Sequence, residues 1–328
     1  MSMNTTKNLP EWLHSFIYEK LGGYYQPDRI AARDNLNSGE KENQRYLGTY
    51  FPRSYTESYC IFSNLFENAE YQNMMKDRDT LRLLSFGCGT GGDLLGLMGA
   101  IAEKMPWIRI LDIVAYDGNF NAVDMLKKIV EHPVVQQRFE MVPSPDYSPI
   151  PMKDRKDFDL FCSCLKGFDV IVSMKMVNEL CTRGIFSENP IGQFMEGLYP
   201  HLDGKGVMLV SDVPIKPNWK GRNDYMPVFL SEGLRKFLVA HEDASAIVPI
   251  PCHTKGVDCK NRCYSVKTFY GNVFTSESLS YCMVAHKEVA DAVCPALKDS
   301  YYRVNDNNEY CAMIGGKGVK DAFDINSK

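Results

Sequence analysis

A cluster of glycines between an apolar strand and an apolar helix constrains this chain more than any other feature. The sequence predicts a strand over residues 81–86, a tight turn over residues 87–92 and a helix over residues 94–102. Glycine allows the backbone to turn sharply and to lie directly against a ligand, where a side chain would clash. The pattern therefore predicts a ligand site at the carboxyl edge of a doubly wound α/β sheet.

The glycine pattern fits two kinds of adenosine-containing cofactor. Gly87, Gly89 and Gly92 match the dinucleotide fingerprint. With Gly91 in place of Gly92, the same loop matches those that bind S-adenosylmethionine. An acidic residue, Asp117, closes the next predicted strand 30 residues after Gly87, whereas dinucleotide folds place that acid about 20 residues on. The longer spacing favours S-adenosylmethionine over a nicotinamide dinucleotide, and a Rossmann-like domain without a ligand is the remaining alternative.

Asp117 runs directly into an amphipathic helical pattern, and residues 116–126 resemble the matching segment of class I methyltransferases, which use S-adenosylmethionine. The resemblance implies that the glycine loop cradles the methionine part of this cofactor and that Asp117 bonds the ribose. Gly118 and Asn119 would then border the adenine. The predicted cofactor-binding residues are Gly87, Cys88, Gly89, Thr90, Gly91, Asp117, Gly118, Asn119 and Ser173.

Strands and helices alternate from residue 79 onward, as a parallel α/β sheet requires. The predicted strands cover residues 82–86, 110–116, 138–142, 168–174 and 206–212, followed by a late pair at 264–270 and 279–286. We expect an N-terminal helical extension (1–78), a Rossmann-like cofactor domain (79–245), and a cysteine-rich insertion with C-terminal strands that complete the sheet (246–328). Residues 35–43 are predicted as a loop, and the proline-rich residues 143–151 as a loop over the ligand edge.

Polar residues at the ends of the fourth and fifth predicted strands are candidates for orienting a methyl acceptor. Asn178 and Glu179 follow the fourth strand, and Asp212 ends the fifth. Residues in such positions more often cap backbone groups, so no catalytic residue is assigned. The fourth strand ends in Ser173-Met-Lys-Met rather than in a sequence of the Asn-Pro-Pro-Tyr type, which disfavours methylation of an exocyclic amine.

Three of the 11 cysteines, Cys252, Cys259 and Cys263, crowd into one polar segment that contains a glycine. Thiolates bind soft and borderline metals, so zinc and an iron–sulfur cluster are the natural candidates, with three unliganded thiols as the alternative. A closed site needs a fourth ligand. The candidates for it are Cys311, which we favour, Cys282 in an apolar strand, and His253 beside Cys252.

Three segments resemble the methyltransferase-like family that associates with the small ribosomal subunit in mitochondria and bacteria. They are residues 45–55, residues 251–263 and residues 277–284. The resemblance implies a 4Fe-4S cluster bound by four cysteines, the last of them on a late strand, which supports Cys311 as the fourth ligand. The chain departs from the family where His-Thr follows Cys252 and where Tyr-Ser follows Cys263.

Charge and composition limit the partners that this chain can have. A net charge of -4 argues against a protein that binds nucleic acid over its whole surface. The residues Lys255, Lys260, Arg262 and Lys267 could still form a local basic patch around the cysteines. There is no long apolar run and no apolar segment at the start, so we expect a cytoplasmic protein without a membrane partner.

These observations together predict a methyltransferase that acts on, or associates with, small-subunit ribosomal RNA. One alternative is a small-molecule methyltransferase whose helical extension covers the pocket. Another is a non-catalytic ribosome assembly factor that keeps the fold.

Overall fold

The computed structural model describes residues 4–27, 38–143, 145–186, 189–217, 219–249 and 265–294. Its strands are β1 (Thr80–Phe86), β2 (Ile110–Tyr116), β3 (Glu140–Met141), β4 (Asp146–Ser148), β5 (Phe168–Met174), β6 (Leu202–Asp212), β7 (Ala244–Val248), β8 (Ser265–Phe269) and β9 (Glu277–His286). Its helices are α1 (Glu11–Ser15), α2 (Glu40–Thr49), α3 (Phe51–Phe66), α4 (Ala69–Met75), α5 (Gly92–Lys104), α6 (Phe120–Val130), α7 (Pro133–Arg138), α8 (Arg155–Ser163), α9 (Val177–Thr182), α10 (Pro190–Leu198), α11 (Met226–Ala240) and α12 (Lys287–Val293). A π-helical turn follows α1 at Phe16–Lys20, and short 3-10 turns lie at Tyr199–His201 and Trp219–Gly221.

Within these ranges, nine strands form one sheet in the order β3, β2, β1, β5, β6, β9, β7, while β4 pairs with β2 and β8 with β9. The strands from β3 to β6 run parallel, whereas β9 runs antiparallel to β6, β7 and β8. The direction of winding reverses between β1 and β5. This is the strand order of the class I methyltransferase fold, so the predicted Rossmann-like α/β fold class is confirmed.

Alternation along the central strands divides the core between the two faces of the sheet. Leu83 belongs to the apolar cluster that includes residues of α3, α5 and α6. Leu84 and Phe86, which point to the other face of the same strand, belong to the second cluster, with residues of α8, α10 and α11. Because successive side chains of a strand point to opposite faces, a strand covered on both sides must be apolar nearly throughout. The central strands are thus fixed between two helical layers, with their carboxyl ends at one edge.

Helix α3 packs closely along α5 because α5 carries a glycine at the crossing. A Cβ at Gly96 would lie 2.4 Å from the carbonyl oxygen of Tyr55, so a larger residue has no room. The Ser58 hydroxyl also donates to the carbonyl oxygen of Asp93 at 2.6 Å. The N-terminal helices are thereby joined to the helix that follows the glycine loop. The division of the chain at residues 78 and 245 stays a prediction.

Most of the predicted strands lie where the sequence placed them, and those at 110–116 and 168–174 have the predicted bounds. The strand predicted at 138–142 contains only Glu140–Met141, because a proline at the first position starts a helix, Pro133–Arg138. The proline-rich segment contains an unpredicted strand, β4, which pairs with β2.

The loop predicted through residue 43 is wrong at its end, since α2 begins at Glu40 and has acidic residues in its first turn, where the helix dipole favours them. None of the helices in the described ranges is both long and apolar enough to cross a membrane.

Candidate functional site

The glycine loop follows β1 at the edge where the parallel strands end. The N–H groups of Gly87 and Cys88 donate to the carbonyl oxygen of Tyr116, at 2.8 and 3.0 Å. Gly87, Gly89 and Gly91 have φ angles of 75, 49 and 91°, in the left-handed region that favours glycine. The end of β2 therefore holds the loop, and the three left-handed residues lie at alternate positions along it.

Asp117 joins the glycine loop to the loop that follows β2. Its Oδ2 accepts the N–H of Gly89 at 2.8 Å, and its Oδ1 accepts the N–H of Asn119 at 2.8 Å. Burial raises the pKa of Asp117, and these backbone N–H donors oppose that effect. Each carboxylate oxygen has a second lone pair, so Asp117 can accept further hydrogen bonds from a ligand. We call residues 117–119 the acid loop.

An open pocket lies where β1, β2 and β5 end, with about 490 Å³ of space that includes the part open to solvent. Its lining comes from the glycine loop, the acid loop, the segment after β5 and the helices α2, α6 and α9. The lining residues are Gly87, Gly89, Asp117, Gly118, Asn119, Ala122, Met174, Lys175, Met176, Glu179, Asn43 and Tyr46. The pocket occupies the switch point between β1 and β5, where open α/β sheets bind their ligands.

Helix α2 forms one wall of this pocket and is attached to the acid loop. The amide Nδ2 of Asn119 donates to Asn43 Oδ1 at 2.9 Å, and both side chains are buried. Asn43 Nδ2 in turn donates to the carbonyl oxygen of Ser38 at 2.8 Å. Tyr46 lies over the glycine loop, with its Cε1 atom 3.5 Å from the place that a Cβ of Gly89 would take. The acid loop and helix α2 therefore line the same pocket.

The electrostatic environment of Tyr46 and Asp93 reflects their position around the glycine loop. Burial raises the pKa of Tyr46 well above its ordinary value, and the carboxylates of Glu179 and Asp117 add to the effect. Burial also raises the pKa of Asp93, in the first turn of α5, to about 7, although the Ser85 hydroxyl donates to its carboxylate at 2.8 Å. Tyr46 thus lies close to both acidic residues of the pocket and stays protonated.

The three candidates for orienting an acceptor have different positions. Asp212 is buried and accepts the N–H groups of Asn178 and Val213, at 2.9 and 2.8 Å, so it caps the start of α9. Burial raises the pKa of Asp212 to about 6. Among the described residues, Asn178 Oδ1 has no hydrogen-bond partner although it is buried. Glu179 lines the pocket, so the structure brings only this candidate into contact with it.

Four of the predicted cofactor residues lie outside the pocket lining. Cys88, Thr90 and Ser173 are buried, and Ser173 lies within β5 opposite Val210 of β6. Gly91 caps the start of α5. These residues shape the loop and the sheet, while Gly87, Gly89 and the acid loop line the pocket itself.

Sequence reasoning missed six of the lining residues: the polar Asn43, Tyr46 and Lys175, and the apolar Ala122, Met174 and Met176. Asn43 and Tyr46 lie on α2, and the first of them fell in a predicted loop. Lys175 directly follows β5 and its Nζ atom lies 2.7 Å from Glu57 Oε2 on α3. The one available signal was its place in Ser173-Met-Lys-Met, where a charged residue interrupts an apolar strand end.

The predicted metal ligands cannot be placed in the fold. Cys252, Cys259, Cys263 and Cys311, with the competitor His253, lie outside the described residues. Over the described part of the chain, no group of three or more His, Cys, Asp or Glu side chains could hold a metal ion. Cys282 lies in β9 opposite Val210, and burial raises the pKa of its thiol to about 12, as expected for a core residue.

No protein-family model matches this chain, and no curated protein matches it. Among solved structures, the plantazolicin methyltransferase BpumL in complex with SAH is 16% identical, with coverage of 83% of this chain and 100% of that chain and a TM-score of 0.36. The putative RNA methyltransferase PH1948 from Pyrococcus horikoshii is 11% identical, with coverage of 85% and 98% and a TM-score of 0.38. The M1A22 tRNA methyltransferase TrmK of B. subtilis is 11% identical, with coverage of 69% and 68% and a TM-score of 0.33. The chemistry of the pocket has to be inferred from its own residues.

Proposed function

We propose that this chain is an S-adenosylmethionine-dependent methyltransferase. The observation that carries the proposal is Asp117, which joins a left-handed glycine loop to the acid loop at the switch point of the sheet. Residues 87–91 would hold the methionine part of the cofactor, Asp117 the ribose hydroxyls, and Gly118 with Asn119 the adenine. The residues fit such a ligand, because among the described residues a Cβ at Gly89 would meet only Tyr46 within 4 Å and Gly89 itself lines the pocket.

When bound, S-adenosylmethionine supplies an electrophilic methyl group, and the residues of the chain orient the cofactor and the acceptor relative to each other. Methyl transfer requires an in-line approach of the acceptor, so fixing both partners in one pocket can supply much of the acceleration. Glu179 is the candidate that reaches the pocket and could orient an acceptor group. Asp212 and Asn178 would act indirectly, since the carboxylate of Asp212 holds the backbone of α9.

Small-subunit ribosomal RNA is the acceptor that we favour, on the strength of the sequence resemblance. One of the resembling segments, residues 45–55, forms the end of α2 and the start of α3 beside the pocket. We further propose that Cys252, Cys259, Cys263 and Cys311 bind a 4Fe-4S cluster, with zinc as the alternative. The nearby lysines would then contribute to an RNA-binding surface.

A small-molecule acceptor is the second candidate, and the position of α2 favours it. The buried contact between Asn43 and Asn119 fixes this helix against the acid loop. A helix fixed in this way would form a permanent wall of the pocket, which suits an acceptor small enough to lie inside it.

Calorimetric titration with S-adenosylhomocysteine tests the cofactor assignment. We expect binding by the native chain and a loss of about 10- to 100-fold in affinity for Asp117→Ala, the size expected for hydrogen bonds to a charged group. Asp124→Ala is the matched control, because Asp124 is a half-exposed residue of α6 paired with Lys128. A native chain that does not bind S-adenosylhomocysteine would refute the proposal.

Transfer of a labelled methyl group then separates the acceptors. Isolated small ribosomal subunits and a fraction of small metabolites are each incubated with the chain and methyl-labelled S-adenosylmethionine. Label in ribosomal RNA supports the first acceptor, and label in a small molecule supports the second. Cofactor binding without transfer to either fraction would favour the non-catalytic assembly factor.

A further inference from the structure

Lys175 has an unusual backbone at the edge of the pocket. It follows β5 with a φ angle of 64° and is the one residue other than glycine that has a positive φ in the described ranges. Side chains disfavour this left-handed conformation, and such residues cluster at functional sites. Its N–H donates to the carbonyl oxygen of Ser211 in β6 at 2.9 Å. The neighbouring strand therefore holds Lys175 in this conformation.

The side chain of Lys175 ends in a largely buried ion pair. Its Nζ atom lies 2.7 Å from Glu57 Oε2 and 3.5 Å from Ser54 Oγ, both on α3. The side chain of Lys175 is 15% exposed and that of Glu57 is completely buried. Burial raises the pKa of Glu57, whereas the charge of Lys175 lowers it. Desolvation usually cancels the attraction within buried ion pairs, so stability alone is a weak reason for this one.

The ion pair and the acid loop lie on opposite sides of the glycine loop, because the strand order is β2, β1, β5 and Lys175 follows β5 whereas the acid loop follows β2. Lys175 lines the pocket together with its neighbours Met174 and Met176. Ser54 also approaches the start of α5, since a Cβ at Gly92 would lie 3.0 Å from Ser54 Cβ. A ligand whose ribose lies at the acid loop must extend past the glycine loop toward Lys175.

We propose that Lys175 binds the carboxylate of the methionine moiety of S-adenosylmethionine and that Glu57 is the positioning residue that holds its ammonium group there. The inference rests on the proposed cofactor. An ammonium group has three N–H donors, so the contacts with Glu57 and Ser54 leave a donor for the ligand.

The test compares two ligands that differ only in the carboxylate: S-adenosylmethionine and decarboxylated S-adenosylmethionine. Calorimetry measures the affinity of each for the native chain and for Lys175→Met. We expect the native chain to prefer S-adenosylmethionine by about 10- to 100-fold, because the carboxylate accepts a charged hydrogen bond. Lys175→Met loses this preference and binds the decarboxylated ligand as the native chain does.

Lys104→Met is the matched control. Lys104 is also mostly buried and paired with carboxylates, those of Glu67 at the end of α3 and of Glu103 on α5. We expect this variant to keep the full preference for the carboxylate. Glu57→Gln keeps the shape of the side chain but removes its charge, and we expect it to reduce the preference only partly, by about 3- to 10-fold. Circular dichroism establishes that each variant is folded.

The outcomes separate the inference from the function on which it rests. Equal affinity of the native chain for the two ligands would overturn the inference while leaving the cofactor assignment intact. An equal loss for both ligands in Lys175→Met would do the same, because it would indicate a structural role. If Lys175→Met does not fold, Lys175→Gln and the native preference decide the matter. A native chain that binds neither ligand would overturn the proposed function and this inference with it.

Discussion

Helix α2 is attached to the acid loop by a buried amide contact, so the replacement of Asn43 by alanine should release it. Asn43 Oδ1 accepts from Asn119 Nδ2 at 2.9 Å, and Asn43 Nδ2 donates to the carbonyl oxygens of Ser38 and Gly39 at 2.8 and 3.1 Å. A hydrogen bond contributes about 1 kcal/mol net, and a buried amide that loses its acceptor costs about 1–3 kcal/mol. We therefore expect Asn43→Ala to destabilise the docked helix by about 2–4 kcal/mol.

Hydrogen exchange followed by mass spectrometry measures this local effect. The amides of α2 should exchange about 30- to 1,000-fold faster in Asn43→Ala if the helix opens separately from the sheet. The amides of β1 report global unfolding and should change much less. Because Tyr46 leaves the pocket when α2 opens, the affinity for S-adenosylhomocysteine should fall in proportion to the fraction of chains in which the helix is open.

Gln44→Ala is the matched control for this prediction. Gln44 lies next to Asn43 on the same helix, and its Nε2 makes a longer contact, 3.4 Å, with the carbonyl oxygen of Leu21. A double-mutant cycle with Asn119→Ala isolates the amide contact, and we expect a coupling energy of about 1 kcal/mol. Equal exchange of α2 in Asn43→Ala and Gln44→Ala, or strict additivity in the cycle, would refute the reasoning.

Three further perturbations test other parts of the site. Gly91→Ala places a Cβ 2.2 Å from Leu126 Cδ1 at a φ of 91°, so urea unfolding should show a loss of about 2–4 kcal/mol, whereas Gly204→Ala, which meets nothing within 4 Å, should show almost none. The pKa of Asp93 is raised from 3.8 to about 7, so the folded chain binds the extra proton and stability falls as the pH rises between these values. Asp93→Asn should remove that loss of stability. At pH 8 this variant should be more stable than the native chain by up to about 4 kcal/mol, and at pH 4 the difference should be smaller. An unchanged pH dependence of urea unfolding would contradict this prediction. Protein purified without oxygen should contain about four irons and four sulfides, which Cys252→Ser loses, whereas one zinc per chain would exclude the cluster.

The sequence was sufficient for the parts of the site that depend on local chain geometry. Gly87, Gly89 and Asp117 could be predicted because their pattern lies within about 30 residues of the chain. It consists of glycines in a strand-to-helix turn and an acid at the end of the next strand. The parallel α/β class of the sheet could be predicted from the alternation of strands with helices. These features depend on neighbouring residues in the chain, and so a single sequence contains them.

The residues that the sequence did not predict depend on packing between distant segments. The amide contact of Asn43 with Asn119 joins residues 76 positions apart, and neither residue type indicates such a partner. Lys175 adopts a left-handed backbone conformation that is typical of glycine, and a lysine in the sequence does not indicate such a turn. Asp212 was a candidate for orienting an acceptor, with backbone capping as the more common role for such a residue, and its carboxylate accepts the N–H of Asn178 at the start of α9.

The N-terminal helices therefore belong to the site as much as the sheet does. Helix α2 supplies Asn43 and Tyr46 at the pocket wall, and α3 supplies Glu57 beneath Lys175. The close crossing of α3 and α5 at Gly96 fixes both helices relative to the glycine loop. A chain with the same glycine loop and acid loop but without α2 and α3 would keep Asp117 for the proposed ribose contacts, and it would lose the pocket wall and the buried partner of Lys175. We therefore expect substitutions in α2 and α3, and not only those in the glycine loop, to lower the affinity for the proposed cofactor.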